Sequence, residues 1–499
     1  MQNHAMPDAS ETPRSRLRQF RNWISWGGVV LAASALFAFL LLLAIDQFAQ
    51  HRNPYVGILA YVVAPIFFIL GIALAVVGAF FQRRSERRAA QAARPFVIRI
   101  DLSRPRDRRI LAIFAAGSVG FLFLTALGSY QTYQYSESVQ FCGKACHLPM
   151  EPQFVASQHA AHAKIECVAC HVGPGAAAYF KTKINGVKQL YHTVANDFNR
   201  PIRVTDANPR PAQAICEQCH WPKKYVGNVE RTYQHYLSDE KNTPFAVRLL
   251  LNVGGGDPAN GPQGGIHWHM NIANKIEYIP TDEQLLSIPW VRMTDPQGVV
   301  TEYRTPEFKD DPSKDRIRRM DCMDCHSRPA HKVHAPNEAV DLALATGRLN
   351  PNVPWVKAKV VAALVKPYTT KAEAEQGIAN SLRETYPDPA QANPIINETQ
   401  AIYRANFFPE VKVDWRTHPD FVGHKNWNGC FRCHDGKHMT ADGKMSIKAS
   451  DCRSCHIILA QGSGEALNQV SAKGHDFIHI DAEYSEFSCS ECHTGGIQK

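Results

Sequence analysis

The fourteen cysteines of this 499-residue chain are arranged as seven pairs, and a histidine directly follows the second cysteine of every pair. Six pairs read Cys-x-x-Cys-His, whereas the first pair has one additional residue between its cysteines. No cysteine is left over, so this pattern constrains the chain more than any other feature. The seven motifs, in chain order, are Cys142/Cys146/His147, Cys167/Cys170/His171, Cys216/Cys219/His220, Cys322/Cys325/His326, Cys430/Cys433/His434, Cys452/Cys455/His456 and Cys489/Cys492/His493.

The order of residues in these motifs is the one that attaches c-type haem. The two thiols form thioethers with the porphyrin, and the imidazole that follows them binds the iron. A zinc site or a disulfide framework would not place a histidine after every second cysteine. We therefore expect seven covalently bound haems, with the motif histidines as proximal iron ligands.

Long apolar runs precede the first motif. Residues 23–45, 55–81 and 110–130 form runs of 23, 27 and 21 residues without a charged side chain. Each run is long enough to cross a bilayer as a helix. A cleaved signal peptide does not explain the first run, because the run is long and a second one follows at once. We predict a transmembrane hairpin over 23–81 and a third transmembrane helix that anchors the rest of the chain.

Arginine is distributed unevenly around these spans. The first 130 residues contain 15 Arg, no Lys and 6 acidic residues, and ten of the Arg lie in the connection at 82–109. The positive-inside rule places residues 1–22 and this connection in the cytoplasm, so residues 131–499 lie outside. Because c-type haem is attached on the outer side of the energy-coupling membrane, the motifs agree with this orientation. We expect a bacterial inner-membrane protein with a periplasmic haem domain.

The same charge distribution excludes nucleic acid as a partner. The net charge of +9 belongs to the arginines that flank the spans and not to a basic face of a folded domain. The three spans also contain no histidine, so they offer no imidazole pair for a haem within the bilayer. Electrons from a lipid-soluble carrier must therefore enter at a haem beside the outer leaflet.

The expected fold class is a mainly α membrane protein with a haem-packed domain of short helices, long loops and a little sheet. The 369 external residues provide only roughly 53 residues per haem, so we expect porphyrins to replace much of the usual apolar core. Alternating residues predict strands at 275–279 and 299–303. Helical periodicity at 356–364 and 371–382 predicts a helical insert over about 336–404.

Thirteen further histidines in the external domain indicate that most irons have a second imidazole ligand. Each of them has an alternative interpretation as a surface or hydrogen-bonded histidine. His267 and His269 alternate on an expected strand, so they would face different haems. Met150 is a candidate axial ligand of the first haem or a packing residue. The candidate distal histidines are His162, His235, His267, His269, His331, His424, His438 and His479.

Several longer runs extend these motifs. An apolar stretch leads directly into the first motif, Met150 follows it, and Cys-Val-Ala-Cys-His-Val-Gly-Pro-Gly occupies 167–175. The further runs lie at 216–222, 264–269, 322–331 and 429–438. From about Gly117 to His456 the chain thereby resembles the larger members of the NapC/NirT family of membrane-anchored multihaem quinol dehydrogenases. It departs from the family in the extra residue of the first motif, the later Met, the additional hairpin and the seventh haem motif.

The resemblance implies oxidation of quinol from the membrane quinone pool, with electrons passed to a periplasmic reductase or a soluble electron carrier. It is also compatible with a membrane complex or a homo-oligomer. In related proteins a lysine and an acidic residue after the second haem motif contact the quinol. Lys181 or Lys183 matches that lysine, whereas Gln189 stands at the acidic position.

Three functions are consistent with the sequence. The first is an electron-transfer subunit that oxidises quinol, and the second is a terminal reductase of a small nitrogen or sulfur oxyanion. The third is the same conduit operating in reverse, into the quinone pool. The surplus of histidines favours the first over the second, because it predicts that few irons keep an open position.

Overall fold

The computed structural model of the chain describes most of its residues. The described ranges are 23–48, 63–88, 102–145, 147–172, 176–202, 212–221, 227–255, 264–270, 274–313, 316–448, 452–479 and 489–496. They form two compact units, one within Met1–Phe141 and His171–Gly186, the other within Cys142–Cys170 and Val187–Lys499. We call them the first and the second unit.

Helices dominate the described residues, and short strands occur in the second unit. The helices are α1 (Trp23–Phe48), α2 (Ala64–Arg88), α3 (Pro105–Glu137), α4 (His147–Gln158), α5 (Cys167–His171), α6 (Ala176–Ala195), α7 (Ala212–Cys216), α8 (Pro336–Ala345), α9 (Val356–Leu364), α10 (Lys371–Thr385), α11 (Pro389–Asn406) and α12 (Cys489–Cys492). The strands are β1 (Asn228–Tyr236), β2 (Pro244–Asn252), β3 (Lys275–Ile279), β4 (Trp290–Thr294), β5 (Val300–Arg304), β6 (Arg318–Arg319) and β7 (His456–Gly462).

Helices α1 and α2 pack against each other through small residues. A Cβ atom on Gly28 would lie 2.4 Å from the backbone nitrogen of Ala75, and one on Gly71 would lie 2.5 Å from that of Ala32. The buried Ser25 hydroxyl donates to the carbonyl of Ala75 at 3.0 Å. Such close approach of small residues is typical of helix pairs in membranes.

Both helices have the length and composition of membrane spans. Trp23–Leu42 and Ala64–Gln82 have mean hydropathies of 2.1 and 2.5, and apolar side chains such as Ile69 are exposed on their outer faces. The predicted hairpin is thus observed as two apolar helices, although residues 55–62 of the second predicted span lie outside the described residues.

Helix α3 covers the third predicted span. It begins at Pro105, where the proline ring favours the first helical position, and continues for 33 residues to Glu137. A helix of this length extends about 50 Å. Its end is capped at Ser138, whose backbone N–H donates to the carbonyl of Tyr135.

Two antiparallel sheets lie in the second unit. One has the order β1-β2-β7 and the other β5-β4-β3-β6. Strand β3 lies at the predicted position, and β5 begins one residue later than predicted. Both faces of β3 are covered, since Tyr278 and Ile279 contribute to separate apolar clusters. The expectation of a little sheet is confirmed, although the sequence did not predict β1 and β2, which carry no simple alternation of polar and apolar residues.

Helices α8 to α11 form the predicted helical insert. Thr370 begins α10 by accepting a hydrogen bond from the backbone of Glu373, and Asp388 begins α11 by accepting one from the backbone of Ala390. Val340, Val356 and Ile378 are among the residues of its core and are 0% exposed. This part of the chain thus builds an ordinary apolar core, contrary to our expectation for the external domain. The motif-poor stretch is long enough to bury side chains against each other.

Candidate haem and quinol sites

Most of the motifs coil into single helical turns. In four of them the backbone N–H of the histidine donates to the carbonyl of the first cysteine, four residues earlier. These bonds are His220 to Cys216 (2.8 Å), His326 to Cys322 (2.8 Å), His434 to Cys430 (3.0 Å) and His493 to Cys489 (2.8 Å). Residues three apart on a helical turn lie on the same face. The turn therefore presents both thiols to one porphyrin edge and the imidazole beside them.

No disulfide bond joins the motif cysteines within the described part of the chain. Pairing of these thiols with each other would compete with their attachment to porphyrin, because each sulfur can form only one such bond. The cysteines described without a disulfide are Cys142, Cys167, Cys170, Cys216, Cys219, Cys322, Cys325, Cys430, Cys433, Cys455, Cys489 and Cys492. Their thioether bonds to haem stay a prediction from the motifs.

One of the predicted attachment residues, Cys455, differs from the common arrangement, whereas Cys219 follows it. Cys219 lies on the helical turn of the third motif, with its backbone N–H donating to the carbonyl of Cys216 at 3.1 Å. Its side chain is exposed, as are those of Cys170, Cys325 and Cys492. The sixth motif leaves the helical turn at Cys455, whose carbonyl accepts a hydrogen bond from the backbone of Asn252 at 2.8 Å. His456 then begins β7. Haem attachment at Cys219 and Cys455 stays a prediction from the motifs.

Five motif histidines face a second histidine ring from elsewhere in the second unit. The ring centroids are separated as follows: His162–His220 by 6.0 Å, His267–His326 by 6.3 Å, His269–His434 by 5.8 Å, His424–His456 by 6.2 Å and His479–His493 by 6.0 Å. Metal–imidazole bonds of about 2 Å, with the ring nitrogen about 1.1 Å from the centroid, place two opposed rings about 6.2 Å apart. The five pairs therefore have the spacing that accommodates one iron between two imidazoles.

A single turn supplies two of these rings. Residues Ile266–Met270 form a 3-10 helix, so the strand that we expected at His267 and His269 is wrong. Nδ1 of His267 lies 2.7 Å from the carbonyl of Val253, and Nδ1 of His269 lies 2.9 Å from that of Ile266. Hydrogen bonds of this kind orient an imidazole and direct Nε2 to a metal. The tight turn still directs the two rings to different motifs.

His162 and His331 show the same arrangement. Nδ1 of His162 lies 3.1 Å from the carbonyl of Pro329, and Nδ1 of His331 lies 3.1 Å from that of Gln153. Both imidazoles are thus oriented through Nδ1, as metal-binding histidines commonly are. The arrangement at His331 fits its predicted role as an axial ligand.

Burial favours the neutral form of six of the paired imidazoles. It lowers the pKa of the partly enclosed rings of His269, His326, His424, His434 and His456. Burial and the nearby charge of Lys425 lower the pKa of His493 to about 4. An imidazole binds a metal through the lone pair of its neutral form, so these environments suit iron ligands.

Two predicted distal ligands have other partners. His438 is 1% exposed, and its Nδ1 and Nε2 bond to Asp435 and to the carbonyl of Ile288 at 2.8 and 2.6 Å. Both ring nitrogens of His438 thus have protein partners, so the geometry does not support His438 as an axial ligand. Nδ1 of His235 contacts Asp341 at 3.2 Å, while the nearby His493 already faces His479. The geometry therefore does not support His235 as an axial ligand.

The stretched first motif contains a π-helical turn. This turn covers Phe141–Ala145, and one extra residue within a helix is commonly accommodated in this way. Gly143 is required there, because a Cβ atom would lie 2.0 Å from the ring of Phe154. A cavity of about 320 Å³ opens beside the turn, between Leu148 and Val155.

The first and sixth motifs are only partly described. Cys146 and the side chains of His147 and Cys452 lie outside the described residues. Met150 is half-buried on α4, and its role as an axial ligand remains a prediction.

The cysteine thiols of consecutive motifs interact with each other. A hydrogen bond with Cys142 of the first motif lowers the pKa of Cys167 in the second to about 7. Burial and the thiol of Cys170 in the second motif raise the pKa of Cys216 in the third, and Cys216 also bonds to Cys322 of the fourth. The first four motifs are therefore adjacent in chain order.

The fourth to the seventh motifs are also linked in chain order. Burial and the thiol of Cys430 in the fifth motif raise the pKa of Cys325 in the fourth to about 12. Phe431, within the fifth motif, contacts the ring of His424 at 4.6 Å, and His424 faces the sixth motif. The next residue, Lys425, acts electrostatically on Cys489 of the seventh motif. Contacts and electrostatic interactions thus link consecutive motifs from the first to the seventh.

The first unit contains a cluster around Lys183, one of the predicted quinol residues. Its ammonium forms an ion pair with Glu137, whose side chain is 7% exposed. It also lies 3.3 Å from the hydroxyl of Ser136 and 5.1 Å from the centre of the Tyr179 ring. Burial and the charge of Glu137 raise the pKa of Tyr179 to about 12, so its hydroxyl stays protonated.

Glu137 was not among the predicted quinol residues. Lys181 and Gln189, the other predicted quinol residues, are exposed on α6. The acidic partner of Lys183 comes from α3 and not from the position of Gln189. The one sequence signal that could have identified Glu137 is its proximity to the first motif.

Apolar helices, helical Cys-His turns and paired imidazoles together define a multihaem c-type cytochrome with a membrane anchor. The NapC/NirT cytochrome c family, N-terminal region, matches residues 105–208. The cytochrome c-type protein ImcH of Geobacter sulfurreducens is 36% identical to this chain over 493 residues, which cover 96% of each protein. The chain belongs to the NapC/NirT family of c-type cytochromes. No solved structure matches it.

Proposed function

We propose that this cytochrome oxidises quinol at the outer face of the membrane and conducts electrons through seven c-type haems to a periplasmic acceptor. The observation that carries the proposal is the set of five imidazole pairs with centroids 5.8 to 6.3 Å apart, joined by contacts between consecutive motifs. When bound, c-type haem supplies one-electron redox chemistry.

The paired histidines support conduction over terminal catalysis. Two imidazoles saturate an iron and hold its coordination geometry nearly constant, whereas reduction of an oxyanion requires an open position. Four of the distal candidates come from the turn at His267 and His269, from His424 and from His479. His162 and His331 complete the set of imidazoles that are oriented by the chain. The alternative of a terminal reductase is correspondingly less favoured.

The cluster around Lys183 supports quinol oxidation. An ammonium can donate a hydrogen bond to a quinol oxygen, and a neighbouring carboxylate can accept the proton that leaves with oxidation. Lys183 and Glu137 provide this combination in one ion pair. Lys181 is exposed on the same helix, where it can attract or orient the quinol.

The topology that we propose follows the distribution of arginine. The N-terminus and the connection at 82–109 lie in the cytoplasm, and helix α3 forms the third span. The motif-containing residues then lie in the periplasm, where a reductase or a soluble carrier can receive electrons. Reverse flow into the quinone pool would use the same conduit, and the relative potentials decide between the two directions.

Reduction by a quinol analogue tests this function in the purified protein reconstituted into lipid nanodiscs. We expect wild-type protein to be reduced by the quinol and the Lys183→Ala variant to be reduced at least tenfold more slowly. Lys188→Ala, an exposed change on the same helix, serves as the control. Intact mass after denaturation should correspond to seven covalently attached haems. Equal rates for the two variants would remove the proposed quinol site.

A further inference from the structure

A series of charged side chains lies at the junction of the sixth and seventh motifs. Lys425 directly follows His424, and its ammonium lies 3.3 Å from Nδ1 of His235. Nδ1 of His235 also lies 3.2 Å from one carboxylate oxygen of Asp341. The other carboxylate oxygen contacts the ammonium of Lys357 at 2.6 Å, and both of these side chains are nearly inaccessible to solvent.

The seventh motif is held beside this series by the helical insert. The carbonyl of Thr494 accepts a hydrogen bond from the indole of Trp415 at 3.2 Å. The carbonyl of Gly495 accepts one from the backbone of Asn337 at 3.0 Å. Gly495 has a φ of 82° and fits closely against Trp415. The insert therefore fixes the position of the motif relative to Lys425.

Lys425 forms no ion pair with a carboxylate among the described residues, and Asp341 and Glu338 act on it only at longer range. Asp341 pairs with Lys357, and Glu338 and Asp420 pair with Lys332. The direct neighbour of Lys425 is an imidazole, which does not balance its charge. A part-buried ammonium in such a position is stabilised when an anion completes its environment. Each c-type haem carries propionate carboxylates, and two predicted haem sites meet here.

We propose that Lys425 binds a haem propionate at the junction of the sixth and seventh haem sites, with its ammonium held beside Nδ1 of His235. A fixed positive charge favours the reduced iron, because reduction removes one positive charge from the metal. Lys425 therefore raises the potential at the end of the conduit and draws electrons away from the quinol. This inference rests on the imidazole pairs that support the proposed function.

The test compares Lys425→Met and Lys425→Arg in the full-length purified protein. Spectropotentiometric titration should show that Lys425→Met lowers the potential of one or two haems and leaves the others in place. Lys425→Arg retains the charge and should titrate nearly as the wild type does. Lys444→Met removes a lysine that is 82% exposed and should change nothing.

Three results would overturn the proposal. The first is a Lys425→Met titration that superimposes on that of the wild type. The second is a Lys425→Met variant in which the potentials of all haems are lowered equally. The third is a Lys425→Arg variant whose haem potentials shift as much as those of Lys425→Met. The last would show that packing and not charge is responsible. Failure of the underlying imidazole pairs would already be visible in the EPR spectrum of the wild type, so the two failures are distinguishable.

Discussion

The imidazole rings of His267 and His326 lie 10° from parallel, with their centroids 6.3 Å apart. The rings of His269 and His434, which involve the same 3-10 turn, cross at 85°. One turn of five residues therefore orients two histidines into ring pairs of opposite geometry, one near-parallel and one near-perpendicular.

This difference predicts two classes of low-spin ferric signal in the EPR spectrum. The angle between axial imidazoles changes the splitting of the iron d orbitals, so near-parallel pairs give rhombic signals and near-perpendicular pairs give large-gmax signals. We expect both classes in the oxidised protein. His269→Met should remove intensity from the large-gmax class alone. A spectrum with one rhombic class would contradict the ring geometry.

Removal of a distal imidazole should open one iron. We expect His267→Ala to convert one haem to the high-spin state, seen in the optical spectrum, while the haem content stays the same. The matched control is His438→Gln, since both nitrogens of His438 bond to protein groups. A high-spin haem in the control variant would restore His438 as a ligand.

Replacement of Glu137 should slow quinol oxidation selectively. Glu137→Gln keeps the shape of the side chain but removes the proton acceptor beside Lys183. Loss of a general base typically costs about 10²-fold or more in rate. Stopped-flow reduction by a quinol analogue should show this loss, whereas reduction by dithionite should be unchanged. If both reductants slow equally, the defect lies in the haem chain and not in the quinol site.

The thermal stability of the hairpin of α1 and α2 should depend on side-chain size at Gly28 but not at the neighbouring Gly27. Gly28→Leu places atoms against the backbone of Ala75, and overpacking of this kind costs about 1–3 kcal/mol or more. A Cβ atom on Gly27 meets nothing within 4 Å, so Gly27→Leu is the control. Thermal unfolding in detergent should therefore distinguish the two variants. Equal stability would indicate that the helices do not pack through Gly28.

The carboxylate of Glu338 should contribute stability that depends on pH. Burial by itself would raise its pKa, but a hydrogen bond from His334 and the charge of Lys332 hold the pKa of Glu338 at about 2. Because this pKa is lowered in the folded state from an ordinary value of 4.5, the contribution is complete above that value. It is lost as the pH falls towards 2.

Glu338→Gln is therefore expected to lower the free energy of unfolding by roughly 1–3 kcal/mol at pH 7, after allowance for solvent screening. Chemical denaturation at several pH values should show the difference shrinking below about pH 4.5. The exposed Glu283→Gln serves as the control. A difference that persists unchanged at low pH would indicate lost packing.

Local patterns predicted much of this molecule. The apolar runs that form α1 and α2, the strand at 275–279 and the helix at 356–364 are observed as expected. Hydropathy and side-chain periodicity specify such elements because they act over a few residues. The expected strand at 267–269 failed, since alternation over three residues cannot distinguish a strand from a 3-10 turn.

The sequence by itself determined the number of motifs, the residues that can attach to porphyrin and the apolar character of the anchor. These depend on covalent chemistry and hydropathy, which are properties of neighbouring residues. Only the tertiary structure decided which histidine faces which motif, that His438 is hydrogen bonded on both nitrogens, and that Glu137 is the acid beside Lys183. Those relationships join residues far apart in the chain, and folding alone brings them within bonding distance.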